Sequence, residues 1–218
     1  VIASWSCPQP GGTSSEEYGL AFDRGRDRRL LIVPALFDEA NRLRRFTAET
    51  MRLLDTARID CFLPDLPGTN ESIALLARQT LETWRQAMAA AGRHFGATHV
   101  LALRGGALVA PALPAFALAP VTGAAILRQM IRTRIVAARE VGLDERTEAL
   151  LEEARTEGIT LSGYQLSAGM VAGLQEAGPV EASTIPPGGP PLWLRAEPGE
   201  DPVQSAALAD HVVAELAP

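Results

Sequence analysis

Short, nearly unbroken apolar runs alternate along this chain with longer segments whose apolar residues recur every three or four positions. Residues 30–33 (Leu-Leu-Ile-Val), 59–63 (Ile-Asp-Cys-Phe-Leu) and 100–103 (Val-Leu-Ala-Leu) are of the first kind, the pattern of strands buried on both faces of a sheet. Leu43, Phe46, Met51 and Leu54 fall at helical spacing and predict a helix over 42–57. A second helix is predicted over 72–91, with Ser72 as its N-cap. After residue 103, Gly105 and Gly106 break the chain, and 107–110 restart as an apolar, helix-compatible stretch that Pro111 and Pro114 close. A small strand is predicted over 115–119. Two more, over 2–5 and 18–22, flank the turn chemistry of Pro8, Pro10, Gly11 and Gly12. Strands and helices in this alternation predict an α/β domain with a doubly wound, mainly parallel sheet, its right-handed crossovers placing helices on both faces.

The alternation lapses over 122–176. A helix is predicted over 125–140, carrying Arg128, Arg132, Arg134 and Arg139, then a second over 144–157, then a third within 162–178 with Ser167 as its N-cap. This reads as a helical cap inserted over the strand ends of a single domain spanning 1–218. Residues 184–191 are a proline-glycine loop that returns the chain to the sheet, 192–196 are the predicted last strand, and 203–216 the closing helix.

Composition narrows the function classes. At 218 residues with 47% hydrophobic and 21% charged content, the chain can bury the core of a globular domain. A net charge of −6 gives no general electrostatic reason to expect nucleic acid as a partner. All 20 side chains counted as Lys or Arg are arginine. Cys7 and Cys61 are too few and too far apart for a metal framework, so neither metal nor cofactor is expected, and a reducing cytoplasmic location is the simplest reading. No run of about 18 apolar residues marks a membrane span. Residues 1–7 have neither the basic start nor the apolar core of a signal peptide.

Ala102-Leu103-Arg104-Gly105-Gly106 closes a buried strand with a turn flanked by small residues. That is the shape of the tight strand-to-helix turn that exposes a nucleophile, and it places arginine where the nucleophile would stand. A guanidinium stays protonated and has no lone pair to offer. His94 and His99 precede the turn, and His211 lies within a predicted helix, so no nucleophile, base and acid can be assembled from these residues.

The chain resembles the α/β-hydrolase fold. Asp65-Leu66-Pro67-Gly68-Thr69-Asn70-Glu71-Ser72 looks like that fold's Asp-x-x-Gly-x-Gly-x-Ser turn, with Asn70 at the second glycine, and the Arg104 turn looks like its nucleophile elbow. Glu200 and Asp201, after the predicted last strand, look like the loop that carries the triad acid. The chain is more closely similar to the bacterial exosortase A system-associated hydrolase 2 family. Pro34, Phe37, Glu39, Asn41, Arg44 and Arg45 match one motif of that family, Leu103, Arg104, Gly106 and Ala107 its elbow, and residues 163–167 a Gly-Tyr-x-Leu-Ser segment. The likeness runs over about residues 20–215. It implies a protein of exosortase and exopolysaccharide systems with a hydrolase label for an ester or thioester, and makes arginine at the elbow a family feature.

Ligands of doubly wound sheets gather at the carboxyl ends of the strands. The expected pocket therefore lies among 37–45, 104–106 and 200–201, under the cap. Phe37 is its expected wall, Glu39, Asn41, Arg45 and Gly105 its loop residues, and Gln129 and Arg132 reach in from the cap. Asp65 is read as a structural turn residue. Arg104 has two readings. It pairs internally with Glu39, Glu200 or Asp201, or it binds a carboxylate or phosphate. The functions that follow are a hydrolase with a degenerate elbow, and a catalytically silent accessory protein holding a small anionic molecule, an ester or a partner.

Overall fold

The run at 30–33 lies at the middle of the sheet. In the computed structural model, which describes residues 1–216, β3 (Arg29–Val33) pairs in parallel with β4 (Asp60–Pro64) and with β5 (His99–Leu103). Its side chains from Leu30 to Val33 have no solvent exposure. Strand geometry sends successive side chains to opposite faces. Leu31 and Val33 therefore join one core, with Trp84 and Met88, while Leu30 and Ile32 join the other, with Phe46 and Trp193.

Around this centre stand β1 (Ile2–Pro8), β2 (Ser14–Phe22), β6 (Ala115–Leu118) and β9 (Ser183–Ile185), in the order β1-β2-β4-β3-β5-β6-β9. The β1–β2 and β2–β4 pairs are antiparallel and the remaining pairs parallel, so the sheet is doubly wound and mainly parallel as expected. One face is covered by α1 (Asp38–Thr56) and α6 (Pro202–Glu215), the other by α2 (Leu81–His94) and by the excursion between β6 and β9. That excursion comprises α3 (Gly123–Glu140), α4 (Thr147–Thr156), the antiparallel pair β7 (Ile159–Leu161) and β8 (Tyr164–Leu166), and α5 (Ala168–Glu176). Among the described residues, no helix is long and apolar enough to cross a membrane.

Four local expectations are corrected. Ser72 does not cap α2. Its hydroxyl accepts from the backbone N–H groups of Gly68 (2.8 Å) and Ala74 (3.2 Å), so it closes the preceding turn, the usual competition between a short hydroxyl and helix formation. The cap is Thr80, in a reciprocal box with Thr83: each hydroxyl accepts from the other's backbone N–H, at 3.1 and 2.9 Å. Residues 104–108 form a 3-10 turn where an α-helical restart over 107–110 was expected. Pro111 disfavours the α conformation of the residue before it, which stops the turn from extending. The predicted strand at 192–196 is a 3-10 turn, Leu192–Leu194, whose Leu192 and Trp193 are buried, and the sheet ends instead on β9, inside the segment read as a loop. The β7–β8 hairpin was not foreseen, although its turn is encoded: Ser162 and Gly163 both take positive φ, 50° and 83°, as a two-residue turn between twisted strands requires. Ser167 caps α5 as expected, accepting from Met170 N–H at 3.0 Å.

The Thr80 cap gives a test. Thr80→Ala is expected to cost about 1 kcal/mol of stability and Ser72→Ala to leave α2 intact, compared by urea unfolding and amide exchange of residues 81–84.

Candidate functional site

The site is built where β3 and β5, neighbours in the sheet, both end. After β5 the chain turns through Arg104 with φ 52°, a left-handed conformation that costs a non-glycine residue on the order of 1–2 kcal/mol. The turn leaves no room for side chains on its flank, where Gly106 meets backbone and Gly105 meets neighbouring side chains. A Cβ on Gly106 would lie 2.5 Å from the Pro34 carbonyl oxygen, and one on Gly105 2.7 Å from Ile126 of α3. The sharp turn expected after β5 is therefore present, without the α-helix that was expected to follow it.

Arg104 spends its guanidinium inside the protein. Nε donates to Glu39 Oε2 at 3.1 Å, Nη2 to Glu39 Oε1 at 3.0 Å, and Nη1 to the Ala119 carbonyl at 2.8 Å. The guanidinium carbon lies 4.2 Å from the centre of the Trp193 ring, a cation–π contact. Its side chain is 15% exposed and that of Glu39 24%. A two-pronged ion pair in so dry a place is a strong, directional hold.

Strain collects at the same point. Six non-glycine residues among those described have positive φ. Phe37, Arg104 and Ser162 line one cavity of about 180 Å³, and Ala119 supplies the carbonyl that holds Arg104. Such conformations persist where the surroundings over-determine them, which is typical of functional sites. The cavity lies between α3 and residues 36–42, which lead into and open α1, with Asp38, Glu39, Arg42, Gln129, Thr133 and Ser162 as polar lining. Arg42 donates to the Trp193 carbonyl at 2.9 Å. Beyond Phe37 a second hollow of about 270 Å³ holds Asn41, Asn70 and Tyr164. The Tyr164 ring meets Phe37 edge-on, 5.3 Å between centres. Burial, with the Asp38 carboxylate adding to it, pushes its phenol up to about 12. Asp65, which accepts from Asn70 of this hollow, is also pushed up by burial, against the bond from Asn70 Nδ2 (2.6 Å) and the charge of Arg44 (3.6 Å).

The structure brings together Phe37, Glu39, Arg104 and Gln129, with Gly105 beneath them. It separates the others. Asn41 faces the second hollow. Arg45 pairs with Glu200 at 2.8 Å on the surface, so neither touches Arg104. Asp201 is the N-cap of α6, accepting from Gln204 N–H at 3.2 Å. Glu200 and Asp201 are thus not at a strand end, and the expected acid loop is not formed by them. Arg132 lines an outward groove with Arg128 and Arg139. Asp38, Arg42, Ser162, Ala119 and Trp193 are the contributors that sequence reasoning missed. Asp38 and Arg42 could have been found, lying one and five residues beyond Phe37 in the same loop and first turns of α1. Among the described residues no group of three or more His, Cys, Asp or Glu is placed to hold a metal.

No protein-family model matches the chain, and no curated protein matches it. Solved structures do. An esterase from Thermogutta terrifontis, with malate bound, superposes with a TM-score of 0.51 at 15% identity, covering 85% of this chain and 79% of its own. A candidate hydrolase from Agrobacterium vitis S4 gives 0.49 at 15% identity, over 70% of this chain and 61% of that one. Rv0554 from Mycobacterium tuberculosis gives 0.47 at 14%, over 70% and 58%. For the last two, the match spans less than two thirds of the solved protein. Likeness at this identity is likeness of fold.

Two measurements follow. Arg104→Ala leaves Glu39 half-enclosed without its partner and is expected to cost about 2–4 kcal/mol, less than for a wholly buried pair. The Arg104→Met/Glu39→Gln double variant should recover most of that in urea unfolding. For Tyr164 the folded pKa is raised, so its contribution is complete below the unfolded value near 10 and is lost as pH rises through about 12. Absorbance titration at 295 nm should show a late phenolate step that Tyr164→Phe removes.

Proposed function

We propose that this chain, which has the α/β-hydrolase fold, uses it as a binding scaffold without acyl-transfer chemistry. In this reading it is an accessory protein that holds a small carboxylate or ester in the cavity under α3. The observation that carries the reading is the Arg104 side chain. It stands at the nucleophile position, and Glu39, the Ala119 carbonyl and the Trp193 ring engage it from three sides. Catalysis by a serine triad needs a nucleophile, a base in hydrogen-bond reach and an acid orienting that base. His94 ends α2 and His99 opens β5, at the far end of the strand from Arg104. His211 lies on α6 beside a different cavity. β9 is followed by Pro186, Pro187, Gly188 and Gly189, which supply no carboxylate. Hydrolysis of an ester or thioester thus has support from fold and motif resemblance but not from an assembled site.

Arg104 is also a poor ligand arginine, because its donors already point at protein acceptors. Arg42 is the better cation for a ligand's carboxylate. It lines the cavity and commits one donor to Trp193. Ser162 and Gln129 offer neutral hydrogen bonds beside it. A role within an exosortase or exopolysaccharide system belongs to this proposal on the strength of the motifs around Phe37, Arg104 and residues 163–167.

A fluorophosphonate probe should label no serine in the native chain, and Arg104→Ser should remain unlabelled and inactive toward p-nitrophenyl esters, since no base stands nearby. Stoichiometric labelling of one serine would overturn the silent reading. In titrations with small carboxylates, Arg42→Met should weaken binding about tenfold, the scale of one charge-assisted bond. A melting temperature unmoved by every such anion would overturn the binding reading.

A further inference from the structure

The outward groove on α3 has a volume of about 530 Å³. Arg128, Arg132 and Arg139 line it, all three exposed, and no aspartate or glutamate does. At about 100° per residue the three positions fall within about 40° of one another around the helix. Along its axis Arg132 stands about 6 Å beyond Arg128, and Arg139 about 10 Å beyond Arg132. Among the described residues none of the three side chains has a carboxylate partner, whereas Arg134 of the same helix pairs with Glu145 at 2.7 Å. Like charges one turn apart weaken a helix slightly, and in a chain of net charge −6 nothing in the groove offsets them. Ile135 and Val136 stand between Arg132 and Arg139 in the same groove, Val136 being 51% exposed, and give it an apolar stretch. Thr147, the first residue of α4, adds a hydroxyl to the lining.

We propose that this groove binds a soluble phosphomonoester, its phosphoryl group held by Arg128 and Arg132 and its apolar body lying along Ile135 and Val136. Charge sets the head group. Two guanidiniums one turn apart are matched by a group with nearly two negative charges and three acceptor oxygens, which their planar forks grip in pairs. A carboxylate would balance only one of them. Arg139, beyond the apolar stretch, adds to the positive field that draws the anion in. Shape sets the rest. A concave space of this size is in the range that small ligands fill, and a flat bilayer surface would leave it empty. Ala125 and Gln129 border both this groove and the cavity on the other side of α3, so the helix is the wall between two separate sites. The groove's ligand does not depend on the function proposed for that cavity.

Calorimetric titration of the full chain with phenyl phosphate, benzenesulfonate and inorganic phosphate tests the idea, with phosphorus NMR as a second readout. Phenyl phosphate should bind. Benzenesulfonate has the same ring but one charge, and inorganic phosphate has no apolar body, so each should bind about tenfold more weakly. Arg128→Gln and Arg132→Gln should each weaken phenyl phosphate about tenfold, and Val136→Asp should abolish its binding. Arg78→Gln makes the same charge change at an exposed arginine outside the groove and should leave binding unchanged. All of these side chains are exposed, so the variants should keep the native circular dichroism. Failure of phenyl phosphate to bind, equal binding of the three probes, or binding that survives the Arg128→Gln/Arg132→Gln double variant would overturn the proposal. So would a loss in Arg78→Gln as large as in Arg132→Gln. Capture of the chain by vesicles of phosphatidylcholine and phosphatidate, lost in the double variant, would assign the face to a bilayer and overturn the soluble ligand.

Discussion

A positive charge set at the end of a buried strand must find an anion, and in this molecule that requirement shapes everything around the elbow. Arg104 cannot shed its proton and is almost wholly enclosed, so an unpaired state would be costly. Glu39 meets the need from the first turn of α1, which fixes how that helix leaves β3. Ala119 turns its carbonyl inward from the end of β6 through a positive φ of 44°. Trp193 closes the remaining side from beyond β9. Three chain segments far apart in sequence are thus referred to one guanidinium.

The strain at this point serves a different end with an arginine at the turn than it would with a nucleophile there. A positive φ at the elbow lifts a nucleophile clear of the sheet, and the cost is offset by catalysis. Here the same φ lifts a cation whose donors return to the protein, so the turn's geometry serves the packing of α1 and β6. Gly105 and Gly106, which have no side chain to meet Ile126 and the Pro34 carbonyl, leave room for that geometry.

Much of this fold is legible in the sequence because strands buried on both faces need apolar residues at every position, as 30–33 and 100–103 show. The pairing of Arg104 was legible in part. Glu39 stood beside Glu200 and Asp201 as a candidate partner. Knowing that β3 and β5 are neighbours, with Val33 opposite Ala102, favours Glu39, since the residues following adjacent parallel strands emerge together. Glu200 and Asp201 were drawn into the site by taking 192–196 for a strand. The burial of Leu192 and Trp193 comes from packing beside α1 and not from a sheet neighbour, and hydrophobicity alone cannot tell these apart. β9 escaped notice because three residues before a proline pair carry too little pattern. Ala119 contributes a main-chain oxygen, which no side-chain signature announces.

That proline pair also limits how the sheet can grow. β9 is an outer strand of three residues, and Pro186 and Pro187 next along the chain have no N–H to offer a newcomer. An added strand would find almost no ladder on that side. The opposite border, β1, runs for seven residues. Strand-by-strand self-association thus meets a blunt end at β9 and a longer template at β1, an asymmetry set by two residues that take no part in the elbow.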